Sequence, residues 1–136
     1  TRPGGHVVAS SFASVPAHPA KAIVDQTLAR HGFRVPGWYA SFKRDHEPLV
    51  ASPEATLGQA RLAGLVDAQA VRVDVDLSDL NVADLVEWRL GMAHTAAFVT
   101  QLEPATLASV RAQAAAALDA APPLRLPVVL LCAIRR

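Results

Sequence analysis

Arg2-Pro3-Gly4-Gly5-His6-Val7-Val8-Ala9-Ser10-Ser11-Phe12 holds a turn and a strand. Pro3-Gly4-Gly5 supplies the fixed and the permissive backbone that a tight turn needs. His6–Phe12 then carries β-branched residues at its start and apolar residues on both alternating sets. That pattern belongs to a strand covered on both faces, so a central strand is expected here rather than an edge. Pro16 and Pro19 break it.

Working outward from that strand, Ala20, Ile23, Val24 and Leu28 repeat as one helix face, and Gly32 ends the helix. Arg34–Gly37 is a turn, and Trp38–Arg44 follows as a short helix or a lid. Ser52-Pro53-Glu54 is a helix start: a hydroxyl for the first free N–H, a proline for the first turn and a carboxylate for the dipole. That helix stops at Gly64, which suits a left-handed cap. Val71, Val73, Val75 and Leu77 alternate with Arg72, Asp74 and Asp76, the period of a half-exposed strand. Val82, Leu85, Val86 and Leu90 mark a helix ending near Gly91, with further helices over Ala93–Leu102 and from Pro104 to Pro122-Pro123. Leu124–Ile134 is the last strand.

The whole chain of 136 residues reads as a single α/β domain, with no linker, repeat or low-complexity tract. Hydrophobic residues make up 51% and charged residues 18%, which excludes a disordered chain and a collagen. The formal net charge is +1 and arises from scattered Arg rather than a basic stripe, so nucleic acid is not expected as a partner. The longest apolar run, Leu126–Ile134, contains Pro127 and is far shorter than the ~20 residues a membrane helix needs, so no membrane partner is expected either. Cys132 is the only cysteine and lies in that run, where a thiol behaves as a small hydrophobe. A reducing compartment, the cytoplasm, follows from that usage. The chain begins at Thr1 without a charged leader, which reads as a cut end rather than a signal peptide.

No metal-ligand spacing joins His6, His18, His31, His46, His94 or Cys132, and no nucleophile elbow, Walker loop or GxGxxG is present. Asp74 and Asp76 share a strand face and read as solvated surface rather than an acid/base pair. Trp38 and Tyr39 sit between Pro/Gly breaks, where large aromatics either line a pocket, as a movable cover, or pack inward. Trp88 and Arg89 flank an apolar helix stripe, and Trp there suits core packing before substrate contact. His94 is a cap, a core histidine or a pocket donor.

The order PGG-strand, Arg30-His31-Gly32-Phe33, Trp38-Tyr39-Ala40-Ser41-Phe42, Ala63-Gly64-Leu65, Trp88-Arg89-Leu90-Gly91-Met92-Ala93-His94 and final apolar strand resembles the C-terminal half of class I S-adenosylmethionine-dependent methyltransferases, from the fifth strand onward. In content it is similar to the type 11, menaquinone-biosynthesis-like branch. The resemblance covers essentially the whole chain. It implies part of a Rossmann-like fold: a three-stranded mixed sheet flanked by helices, with Leu124–Ile134 antiparallel between His6–Phe12 and Val71–Leu77. It implies S-adenosylmethionine as cofactor, with the glycine loop and acidic ribose ligand in a half that would precede Thr1, so no cofactor-binding residue is assigned in this chain. Acceptor binding would fall by position to Trp38, Tyr39, Trp88, Arg89 and His94. The catalytic residues are unassigned, because methyl transfer relies on proximity, orientation and exclusion of water rather than on a shared acid or base.

The expected function is therefore the acceptor-binding portion of a methyltransferase acting on a small molecule, the fragment alone being inactive. The alternative is a non-catalytic half-domain that binds a ligand or drives oligomerisation. Either way the far edge of His6–Phe12 lacks a neighbouring strand and carries no charge to deter pairing, so a homo-oligomer through that edge is expected.

Overall fold

The computed structural model describes residues 2–14 and 18–136; the break assigned to Pro16 and the cut end at Thr1 lie outside them. The described residues are mixed α/β, with helices and a three-stranded antiparallel sheet. Its Cα packing resolves into two compact units. One comprises Thr1–Val15, Ala40–Asp76 and Arg125–Arg136, and the other Pro16–Tyr39 and Leu77–Leu124.

The first unit holds the sheet. Gly4, at φ +75°, makes the turn that leads into strand β1, His6–Phe12. Strand β2 is Leu65–Leu77 and strand β3 is Leu124–Arg135, in the order β1-β3-β2. The last strand thus lies between the other two, as the resemblance implies. β1 runs antiparallel to β3 in a register that sets Val8 opposite Cys132 and Ser10 opposite Leu130. Arg125, at the start of β3, meets Asp76 near the end of β2, as antiparallel neighbours do.

Helix α3, Pro53–Leu62, covers one face of this sheet. The Ser52 hydroxyl accepts the Ala55 N–H at 3.2 Å, a cap worth about 1 kcal/mol. Hydrogen bonds from its own backbone and from Ser52 hold the Glu54 carboxyl below its usual pKa, as suits a carboxylate in the first turn. Gly64 leaves the helix at φ +71°, the left-handed exit expected from the sequence. Ala60 packs on Leu131 and Ala133, with Leu57, Leu65, Ala68 and Ala70 around them.

Four expectations need correction here. The sheet is antiparallel rather than mixed, because the middle strand β3 runs opposite to both neighbours. β1 is an edge strand, with Val8 73% and Phe12 46% exposed, because apolar residues on both alternating sets do not specify a layer on both sides. Cys132 is exposed, since alternation along β3 turns Val129, Leu131 and Ala133 inward and Leu130 and Cys132 outward. β2 begins at Leu65 rather than Val71. Its first half hides in the sequence because Asp67 takes φ +50° and alanines, weak strand formers, supply the inward positions. By alternation from Ala68 and Ala70, Val71, Val73 and Val75 face away from α3, and they are 55%, 39% and 38% exposed. Asp74 and Asp76 are surface residues, with side chains 63% and 53% exposed.

The second unit is helical: α1, Pro19–Arg30; α4, Val82–Leu90; α5, Ala93–Val99; and α6, Pro104–Leu118. Its core is Ala20, Val24 and Leu28 from α1, Val86 and Leu90 from α4, and Val110, Ala114 and Leu118 from α6, closed by Phe33. His18 caps α1 through Nδ1, which accepts the Ala20 N–H, while Nε2 donates to the Pro122 carbonyl at 2.7 Å. Those two roles require the neutral Nε2–H tautomer. Gly32 closes the helix at φ +97°, with the Phe33 N–H returning to the Leu28 carbonyl. Asn81 and Asp84 form a reciprocal capping box on α4. The helix expected over Ala93–Leu102 ends at Val99, and its last residues turn back on the Val99 and Phe98 carbonyls.

Candidate functional site

Gly37–Asp45 forms α2, a helix where the sequence left a helix or a lid open. Its first residues, Trp38 and Tyr39, pack edge to face, with ring centroids 5.6 Å apart and planes at 75°. Tyr39 lies flat on the imidazole of His94, centroids 3.9 Å apart and planes within 4°. Behind them, Phe33 meets His94 at 6.4 Å and Phe98 at 5.5 Å, both tilted. A graded group results: Trp38 is 57% exposed, Tyr39 is half-buried, and His94 and Phe33 are buried.

The elements that place these rings are short and fixed at their ends. His94 is held by the first turn of α5, where the buried Thr95 hydroxyl reaches the Arg89, Leu90 and Met92 carbonyls at 2.9–3.1 Å. Thr95 thereby ties the end of α4 to the start of α5. Of the residues assigned to acceptor binding, Trp38, Tyr39 and His94 are therefore brought together. Phe33 and Phe98 join them without having been singled out as site residues. Phe33 follows Gly32 in the helix-exit signal, and its position there marks a residue folded back onto the helix it leaves.

Arg89 has a different setting. It is 4% exposed, and its guanidinium makes two parallel bonds to Asp25 of α1, Nε to Oδ1 at 3.0 Å and Nη2 to Oδ2 at 2.6 Å. This fork joins α1 to α4 and neutralises the charge that burial would otherwise penalise. Asp25 was not signalled by any motif; the cue was that a buried Arg requires a carboxylate. Trp88, half-buried beside it in sequence, sits on the same helix.

The sheet unit contains a cavity of about 280 Å³ between α3 and the β1–β3 face. Ala9, Ser10, Gln59, Ala60, Ala63 and Leu131 are among its lining residues, and Trp38 and Tyr39 are not. Small side chains from three separate elements create it. The Ser11 hydroxyl donates to the Val50 carbonyl at 2.5 Å and Thr56 to the same carbonyl at 3.2 Å, so both are satisfied within the wall.

Among the described residues, no group of three or more His, Cys, Asp or Glu side chains is placed to hold a metal ion. No helix among the described residues is long and apolar enough to cross a membrane. Comparison with known proteins finds neither a family model nor a curated protein that matches the chain.

Proposed function

We propose that the chain is the acceptor-side, C-terminal portion of an S-adenosylmethionine-dependent methyltransferase of Rossmann-like fold, working on a small apolar or aromatic molecule in the cytoplasm. The observation that carries this reading is the strand order β1-β3-β2, with the last strand antiparallel to the first. A closing strand that returns to the middle of a sheet is an unusual connection, and it matches the resemblance in order and direction. The aromatic group supports the acceptor role. A planar acceptor would lie against Trp38, whose ring is steadied by Tyr39, which in turn rests on His94. Arg89 supports the site from α4 through its Asp25 pair rather than by touching the acceptor.

The left-handed glycines among the described residues do not form the loop that would cradle S-adenosylmethionine. Gly4 turns the chain into β1, while Gly32 and Gly64 close α1 and α3; none opens a helix behind a strand, as a phosphate- or nucleoside-binding glycine loop does. On this reading the ligands of the cofactor would belong to a preceding half. The sequence immediately upstream of Thr1 tests the reading. A strand followed by a glycine-rich loop and a helix, some tens of residues ahead, supports it. An unrelated domain contradicts it and favours the non-catalytic module.

A further inference from the structure

His18 joins two parts of the helical unit that lie 104 positions apart in the chain. Its imidazole stands between the start of α1 and the loop that leaves α6, with Nδ1 3.2 Å from the Ala20 amide nitrogen and Nε2 2.7 Å from the Pro122 carbonyl oxygen. An amide N–H can only donate and a carbonyl can only accept, so the ring carries its proton on Nε2 and none on Nδ1. Pro19 brings no N–H, and the Lys21 N–H goes to the His18 carbonyl at 3.0 Å, so Ala20 is the first-turn donor that the imidazole serves. Ala20 is 0% exposed, in the core with Val24 and Leu28, where water does not reach a freed N–H.

We propose that His18 is a proton-operated catch: the neutral ring holds the first turn of α1 closed, and a second proton on the ring releases that turn while the Pro122 carbonyl stays bound. On the imidazolium both nitrogens donate. Nε2–H still meets a carbonyl, now in a charge-assisted bond, whereas Nδ1–H is set against the Ala20 N–H, donor facing donor. The positive end of the α1 dipole opposes the added charge as well. The closed turn and the second proton therefore compete, and a buried donor stripped of its acceptor is relieved by opening the turn. The charged side chains nearest its two contacts in the chain are Lys21 and Asp119, opposite in sign; Asp25, further along α1, is bound to Arg89 of α4. Histidine is the side chain whose charge ordinarily changes between pH 5 and 8. The catch lies wholly within the helical unit and does not rest on methyl transfer.

Amide hydrogen exchange of the whole chain reads the catch, each rate being divided by that of an unstructured peptide at the same pH. Between pH 8 and pH 5.5 the protection of the Ala20 N–H should fall about fivefold or more, the loss that a helix cap represents. Protection of the Leu28 N–H, in the last turn of α1, should change by under about twofold, because the opening is local. His18→Asn supplies a cap oxygen that takes up no proton in this interval, so its Ala20 protection should also change by under about twofold, with the circular dichroism of the unmodified chain. Imidazole nitrogen shifts at pH 8 should report the Nε2–H tautomer of His18. Equal Ala20 protection at the two pH values, an equal fall at Leu28, the same fall in His18→Asn, or the Nδ1–H tautomer at pH 8 overturns the proposal.

Discussion

Tyr39 and His94 lie ring on ring, 3.9 Å between centroids and 4° from parallel, although 55 positions separate them in the chain. Stacked aromatic pairs are worth about 0.5–1.5 kcal/mol beyond the area they bury. A double-mutant cycle of Tyr39→Leu and His94→Leu should therefore return a coupling of about 1 kcal/mol in urea unfolding. Trp38→Leu, at a 57% exposed ring, should cost under about 0.5 kcal/mol. Additive single variants would show that the stack contributes nothing.

Asp25 and Arg89 differ in how they can be removed. Asp25→Ala leaves a guanidinium that is 4% exposed without its carboxylate, a loss of about 3–5 kcal/mol. The pair replaced together, Asp25→Leu with Arg89→Met, should recover most of that. Chemical denaturation of the two variants and the unmodified chain checks it, and a double variant as unstable as Asp25→Ala contradicts it.

Alternation along β3 sets neighbouring leucines apart. Leu131 is 7% exposed against Ala60, and Leu131→Ala should cost about 2–4 kcal/mol. Leu130 faces the other way at 37%, and Leu130→Ala should cost less than half as much. Unfolding midpoints at equal slope measure the difference; similar costs would mean that α3 does not cover the face assigned to it.

Glu87 and Arg111 give the helical unit a pH dependence. The hydrogen bond from Arg111 holds the Glu87 carboxyl below its usual range, so the native state favours its charged form. A depressed folded-state pKa contributes stability above the unfolded pKa of about 4.3 and loses it as pH falls through the folded value. The contribution is small, because the two side chains are 52% and 47% exposed and salt screens them. Glu87→Gln should flatten stability against pH on the acid side of that value and leave the profile near pH 7 parallel to that of the unmodified chain. An unchanged acid limb contradicts it.

Local signals carried much of the fold. Ser52-Pro53-Glu54 and Gly64 bound α3 where the sequence places it, because a cap and a left-handed exit are decided within a turn of chain. Leu124–Ile134 was legible as a strand from its length and branching. The burial of each face was not, since Val8, Cys132 and Val71 are exposed or covered according to what packs on the sheet, which no local pattern states. Trp38, Tyr39 and His94 were legible as candidates from their chemistry and flanking breaks. Their stacking, the Asp25–Arg89 fork and the cavity beside Ala9, Ala60 and Ala63 depend on residues distant in sequence, and spacing encodes none of them.

The division of labour proposed for this chain, an acceptor side without the cofactor cradle, is tested most directly by calorimetric titration with S-adenosylmethionine. The chain of 136 residues alone should release no binding heat, and the same chain extended upstream through a glycine-rich half should bind in the micromolar range. Micromolar binding to the 136 residues alone, or none to the extended chain, would contradict it.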